Sequence, residues 1–299
     1  MTTQTAVPVP AQQSGDRGVF RKLVVAAPTL PFFLYVALFL LFPTALVVIG
    51  AFQTQTGGFT FSNLSVLNTS AVRSAALWSV GLSLISAISG AVVGGLLAYG
   101  LATANPDGAL RRTVVSICSV LAQFGGVLLA FAFIATIGRT GMVTIWINKL
   151  TGGIFDTTWL YDFKGLVLVY AYFQIPLMVI VFLPALDGIR PQWREATESL
   201  GGSTWVYWRS VAGPILLPAF ISSTLLLFAN AFSAYATAAA LISQQDPLLA
   251  TQIRGALTNE VSLDSTNKAQ VLALLMVVIV AIVMVLYGWL SKRASRWLG

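Results

Sequence analysis

Six stretches of this sequence, near residues 28–52, 76–102, 114–137, 165–186, 215–242 and 270–290, are apolar throughout and contain no Asp, Glu, Lys or Arg. A hydrocarbon layer about 30 Å thick needs roughly 20 helical residues to cross it, so each stretch is long enough to be a transmembrane helix. The number of crossings, not the length of the chain, therefore sets its organisation. Composition agrees: 9% of residues are charged and the mean hydropathy is +0.83, where an ordinary soluble domain carries about 25% charged residues. The expected fold class is all-α, a polytopic membrane protein with six transmembrane helices.

Orientation is read from the basic residues between the runs. An even number of crossings puts both termini on one face. That face carries eleven of the seventeen basic residues: Arg17, Arg21, Lys22, Arg111, Arg112, Arg190, Arg194, Arg209, Lys292, Arg293 and Arg296. The opposite face carries Arg73, Arg139, Lys149, Lys164, Arg254 and Lys268. By the positive-inside rule both termini are cytoplasmic. The net charge of +7 is then mostly topology and points to the lipid bilayer, with no nucleic acid as partner. Residues 1–22, polar and rich in Pro, Gln and Ser, read as a flexible cytoplasmic tail. Residues 23–299 form the transmembrane domain.

Several chemistries are excluded. The chain has no histidine and one cysteine, Cys118. Histidine-based metal sites, Ser-His-Asp and Cys-His arrangements and a disulfide framework are absent. No metal site is expected and no residue is assigned as catalytic. Intramembrane carboxylates, which usually carry proton or sodium relays, are missing from all six runs.

Within the second run Ser86, Gly90, Gly94 and Ala98 recur every four residues, a smooth stripe on which another helix can approach closely. Helix packing is the expected role, with a transport role as the alternative. Pro43 and Pro176 lie inside runs and should kink them. Between the third and fourth runs, residues 138–164 should hold a short amphipathic helix near the interface. Trp146 and Trp159 serve there as aromatic anchors. The loop 243–269 is polar enough to be solvated and to face a partner outside.

The largest interruption on the cytoplasmic face lies near 187–214. Three of the eight tryptophans, three arginines and two glutamates fall between Arg190 and Pro218. Pro191 suits a first helical position, and Trp193 to Leu200 can form two turns that Gly201 and Gly202 stop. Ser203 can cap a second short helix through Ser210, after which Gly213 and Pro214 should break the chain before it re-enters the membrane. Glu195 and Glu198 are placed near the N-terminal half of the first helix, and Arg194 stands four residues before Glu198. Trp205, Tyr207 and Trp208 offer apolar area to the headgroup belt or to a partner's groove.

The run EATESLG followed by VAGP resembles the EAA motif of ABC importer permeases: Glu-Ala-Ala, three residues, Gly, nine residues, then Ile-x-Leu-Pro. Glu195, Ala196, Gly201 and Pro214 fall at the matching spacing. Thr197 stands for the second Ala, Val211 for Ile and Gly213 for Leu. The resemblance extends over most of residues 28–298. GRTGMV, YFQIPLMV and ANAFSAYATAAALI look like the subgroup for polyamines, aminoethylphosphonate, ferric iron and small oxyanions. It implies a type I ABC importer permease-like subunit of the bacterial inner membrane that imports a small solute. Glu195, Ala196, Thr197, Glu198, Gly201 and Pro214 would couple it to a cytoplasmic ABC ATPase dimer. A second permease subunit and an extracytoplasmic substrate-binding protein complete the implied assembly. The chain contains no G-x-x-x-x-G-K-[ST] loop, so it should bind no cofactor itself, ATP and Mg residing on the partner ATPase. Transport without enzymatic activity is the expected role.

A sugar-type permease, or an ion-independent secondary transporter or channel subunit, would also explain the spans. The latter pair leaves the insert near 187–214 without a purpose. A membrane enzyme would want carboxylate or histidine clusters that are absent. For the substrate pathway the candidates are uncharged polar residues within the runs: Gln123, Gln174, Asn230, Ser233, Tyr235 and Thr237. Hydrogen bonding between helices is the alternative role of each.

The topology can be tested directly. Single cysteines at Gln12 and Ser295, in a Cys118→Ser background, should react with an impermeant thiol reagent only from the cytoplasmic side. Labelling from outside in intact cells would reverse the orientation.

Overall fold

Backbone N–H and C=O groups in hydrocarbon can bond only to each other, which leaves helices as the available form for uncharged runs of this kind. The computed structural model describes residues 29–54, 57–153, 158–242, 248–258 and 265–298. Its elements are helical, and six helices among the described residues are long and apolar enough to cross a membrane. The tail expected over 1–22 and parts of the loop 243–269 lie outside the described residues. The chain divides into two units, 1–50 and 51–299.

The described residues of the first unit belong to the helix α1, Leu30–Ala51. Pro43 has no N–H and its ring would meet the carbonyl one turn earlier. The chain widens just before it into a π segment, Ala37–Leu41, in which the Phe42 N–H reaches back to the Ala37 carbonyl. The wide turn accommodates the ring and the missing N–H of Pro43.

The second unit is built around α2, Ser70–Thr103, and α6, Phe163–Asp187. These two helices cross where α2 has almost no side chains. A Cβ at Gly90 would stand 2.6 Å from the Gln174 Cβ, and one at Gly94 would stand 2.5 Å from the Ile175 carbonyl oxygen. Ser86 and Ala98 on the same stripe are fully buried. The stripe is therefore a packing surface. A third helix, α8 at Thr204–Ser233, lies against both, with Leu227 reaching the Gly90 position and Phe220 edge-on to Phe182. The last helix, α11 at Ser265–Leu298, closes this core with Leu272.

Two runs differ from the sequence expectation. The third, expected at 114–137, is divided between α3, Ala109–Gln123, and α4, Gly126–Ile137. The third span itself covers Gly126–Thr151. Gly126 takes φ +72° at the joint, a left-handed conformation that glycine adopts freely. The fifth, expected at 215–242, breaks at Ala234, whose ψ of 69° is not helical, and resumes as α9, Tyr235–Leu241. The pieces beyond the two breaks, α4 and α9, pack together around Leu129, Ala130, Ala238 and Leu241.

The chain does not break at Gly213 and Pro214. Trp208–Ala212 form a second π segment, and the Gly213 N–H bonds to the Trp208 carbonyl, so Pro214 enters at the start of a fresh α-helical stretch. Its missing N–H and its ring are accommodated by the wide turn. Helix α8 is consequently continuous from the insert into the membrane.

In the last part of the third span, α5 at Met142–Thr151 is the short helix expected in 138–164, with Trp146 exposed. The loop expected to be solvated over 243–269 instead contains α10, Leu249–Thr258. Its start is tied down by a bond of 2.9 Å from the Leu249 N–H to the Ser79 hydroxyl, and Leu249 is fully buried.

Gly94→Leu should reduce the amount of assembled protein in the membrane, because forcing side-chain volume into such a crossing typically costs about 1–3 kcal/mol or more. Gly100→Leu on the same helix, where an added Cβ meets nothing within 4 Å, should be tolerated. Immunoblots and melting of the purified variants distinguish the two. Equal behaviour would remove the stripe's structural role.

Candidate functional site

The insert is a small, locally determined structure. Arg190 is extended and Pro191 opens α7, Pro191–Ser199. At the other end Gly201 has φ +78°. The Gly201 N–H bonds to the Glu198 carbonyl at 3.0 Å and the Gly202 N–H to the Thr197 carbonyl at 2.9 Å. This is a complete Schellman cap, in which a residue at positive φ lets two N–H groups satisfy the last carbonyls of the helix. No other atom lies within 4 Å of a Cβ placed on Gly201, so handedness, not space within the chain, selects glycine there. Gly202 differs: a Cβ would meet the Thr197 Cγ2 at 2.7 Å. Thr197, the departure from the motif's second Ala, donates its hydroxyl to the Trp193 carbonyl at 2.8 Å and packs its methyl into the space Gly202 leaves.

Ser203 then caps the next helix, accepting from the Val206 N–H at 3.4 Å. Tyr207 is buried and Trp208 stacks edge-on against Tyr99 of α2 at 5.3 Å. Of the three aromatic residues expected to face a belt or a partner, only Trp205 remains prominent, at 70% exposure, beside Leu200 at 89%. Glu195, Ala196 and Glu198 are exposed. Because α7 begins at Pro191, Glu198 lies in its last turn, not its N-terminal half. There the helix dipole disfavours a carboxylate, and Arg194 compensates through a 2.9 Å bond across one turn. That bond holds the Arg194 guanidinium above its ordinary pKa. Pro214 lies well inside α8, away from the Schellman turn.

The root of the insert carries an ion pair that sequence reasoning missed. Arg111 at the start of α3 bonds to Asp187 at the end of α6. The only signal was two opposite charges at span ends on one face, separated by 76 positions. The Arg111 side chain is largely buried and that of Asp187 is open to solvent; a surface ion pair contributes up to about 1 kcal/mol.

The six pathway candidates gather near the two breaks but do different things. Gln174 is fully buried and donates to the Leu227 carbonyl at 2.6 Å, while its amide oxygen accepts from Asn230 at 3.3 Å. Thr237, also buried, donates to the Gly126 carbonyl at 3.3 Å and so joins the two breaks. The carbonyl of Ala234, at the fifth-span break, accepts from the Tyr170 hydroxyl at 2.5 Å. Ser233 is exposed and donates to the Ala229 carbonyl of its own helix at 3.0 Å. Tyr235 accepts from Arg254 of α10 at 3.3 Å. Gln123, exposed, is the last residue of α3. Gln174, Asn230 and Thr237 thus hold helices together, whereas Gln123 and Ser233 keep accessible surface. Non-helical backbone within a membrane is tolerated where protein partners or a cavity satisfy it, and Tyr170 and Thr237 supply such partners.

Known proteins resemble this chain over most of its length. The profile of the family described as binding-protein-dependent transport system inner membrane component matches residues 90–296. The chain is 25% identical over 236 residues to the molybdenum transport system permease protein ModB of Haemophilus influenzae, covering 78% of this chain and 94% of that one. It is 26% identical over 158 residues to the ferric transport system permease protein FbpB of Actinobacillus pleuropneumoniae, covering 53% of this chain. The match spans only 23% of that relative's own length. Among solved structures, a chain of a bacterial ABC transporter that imports the acidic polysaccharide alginate superposes with a TM-score of 0.68 at 16% identity. That superposition covers 94% of this chain and 98% of the other. A chain of the MetNI methionine ABC transporter in an inward-facing conformation superposes with a TM-score of 0.54 at 17% identity, over 75% of this chain and 95% of that one. At such identities the two structures speak for the fold.

Gln174→Leu should lower the stability of the purified protein by about 1–2 kcal/mol, since it deletes two interhelical bonds and strands the Asn230 amide. Ser233→Ala should change it by less than about 0.5 kcal/mol. Thermal unfolding in detergent measures both. Equal effects would mean that Gln174 does not join the helices.

Proposed function

We propose, because the chain belongs to the family of binding-protein-dependent transport system inner membrane components, that it is the permease subunit of an ATP-driven importer and that the insert near 187–214 is its coupling element. As a member of that family it is a transport subunit of the inner membrane, not an enzyme. On the proposed reading both termini are cytoplasmic, residues 1–22 are a tail, and residues 23–299 are the permease domain. A cytoplasmic ATPase dimer carries ATP and Mg, a second permease subunit completes the pathway, and an extracytoplasmic binding protein delivers a small solute.

The observation that carries this reading is mechanical. The Schellman turn at Gly201 leads through the Ser203 cap into a helix that runs from Thr204 to Ser233 with no non-helical joint. Displacement of the exposed face of α7, with Glu195, Ala196 and Glu198, would be passed into the membrane without a flexible link. At the far end of that helix are the break at Ala234 and the candidates Ser233 and Tyr235, with Gln123 at the neighbouring break. These three are the residues proposed to meet the solute, since Gln174, Asn230 and Thr237 are committed to helix contacts. Relatives named for molybdenum and ferric transport support a small oxyanion or ferric iron as the solute within the subgroup that also handles polyamines and aminoethylphosphonate.

The test uses two substitutions on the insert. Gly201→Asp places a residue type that tolerates positive φ into open space, so the turn itself should survive and any defect reports on the partner. Glu195→Lys reverses a charge that would be desolvated at a contact, a change worth about 2–5 kcal/mol. Each variant should reach the membrane at normal levels, yet copurify with at least about tenfold less ATPase and lose substrate-stimulated ATP hydrolysis. Full association and full stimulation in both would remove the coupling assignment.

A further inference from the structure

The outer side of the first membrane turns of α8 bears a groove of about 610 Å³ that the coupling reading does not use. Its walls are Val211, Pro214, Ile215 and Pro218 of α8 and Leu290 of α11, with Arg293 among the lining residues. Pro214 and Pro218 stand one turn apart on the same face, next to the π segment Trp208–Ala212, and their short rings leave that face shallow. The volume is that of a small-ligand cleft, about 300–1,000 Å³. The fifth span begins at Thr204 and the sixth ends at Arg293. The polar end of the groove, Arg293 with the Ser210 hydroxyl, therefore lies at headgroup level, and its aliphatic walls run into hydrocarbon.

Charge selects the occupant. Neither α8 nor α11 contains an Asp or Glu, while Arg209, Lys292 and Arg293 cluster at this end. Among the described residues Arg293 takes part in no ion pair; the pairs there are Arg111–Asp187 and Arg194–Glu198. Its guanidinium instead lies 5.9 Å from the Trp289 ring centroid. The indole is 60% exposed, as expected of an aromatic anchor at a membrane interface. A cationic end above an apolar slot between membrane helices is complementary to a phosphate carrying acyl chains. Leu217 and Ile221, which line the same groove, are exposed, so the slot opens onto the surface where lipid tails lie.

We propose that this groove binds one anionic phospholipid of the bilayer, its headgroup phosphate on Arg293 and one acyl chain against Ile215, Pro218 and Leu290. The site is the chain's own and stands apart from the permease reading, requiring only that the helices span a membrane.

The purified full-length chain, exchanged into micelles containing equal phosphatidylglycerol and phosphatidylcholine, tests this by native mass spectrometry. The expected result is one retained phosphatidylglycerol per chain, preferred about fivefold over phosphatidylcholine. Arg293→Gln should reduce that preference to less than about twofold without changing the melting temperature. Leu290→Trp, which fills the slot and keeps the charge, should abolish retention of both lipids. Equal retention of the two lipids by the wild type would overturn the site, as would unchanged retention in either variant. Specific cross-linking of Leu290→Cys to a second copy of the chain, in the Cys118→Ser background, would show that protein fills the groove instead and would equally overturn it.

Discussion

Every polar backbone group in the hydrocarbon must find its partner within the protein, and the structure depends on how the chain meets that demand. Most of it is met by helices. Where helices break, hydroxyls from other elements add bonds to the backbone at the joint: the Tyr170 hydroxyl to the Ala234 carbonyl and the Thr237 hydroxyl to the Gly126 carbonyl. Before Pro43 and Pro214 the helix widens to a π turn, at Ala37–Leu41 and at Trp208–Ala212, whereas Pro176, Pro184 and Pro218 lie within α-helix. The breaks and bulges are thus the supported exceptions to a rule that governs the rest of the chain.

Close packing accompanies those supports. Tyr170 and Gln174 lie on α6 one turn apart; Gln174 reaches the Leu227 carbonyl of α8 and Tyr170 the Ala234 carbonyl at its break, while α6 packs tightly against α2 at Gly90 and Gly94. The smooth stripe on α2 is the surface on which α6 rests. The insert at the other end of α8 is determined differently, by short-range capping at Gly201, Gly202 and Ser203 together with the pair Arg194–Glu198.

That contrast explains what could be read in advance. The number of spans, the α2 stripe, the helix stop at Gly201 and the Ser203 cap were all legible, because each depends on residues within a turn or two of one another. The breaks at Phe124–Gly125 and Ala234 were not. Both lie in runs that stay apolar on either side, so hydropathy passes over them, and what stabilises the second is Tyr170, 64 residues away. The reading of Gly213 and Pro214 as a chain break applied a local rule for proline and could not anticipate a wide turn that satisfies it. Arg111 and Asp187 were legible as charges on one face but not as a pair. Whether a side chain such as Gln174 faces a neighbouring helix or an open path depends on rotation about the helix axis, which an almost uniformly apolar run does not specify.

The π segment at Trp208–Ala212 has a consequence of phase. A π turn accommodates one residue more than the regular helix around it, and each residue of an α-helix advances about 100° around the axis. The segment therefore rotates everything before it relative to everything after it. It decides which side of the membrane helix carries the Gly201 turn, and it does so through the length of the chain at that point, independently of side-chain identity. Compass bearing, as much as rigid connection, is what this wide turn contributes: the same insert on a helix one residue shorter would project toward a different neighbour.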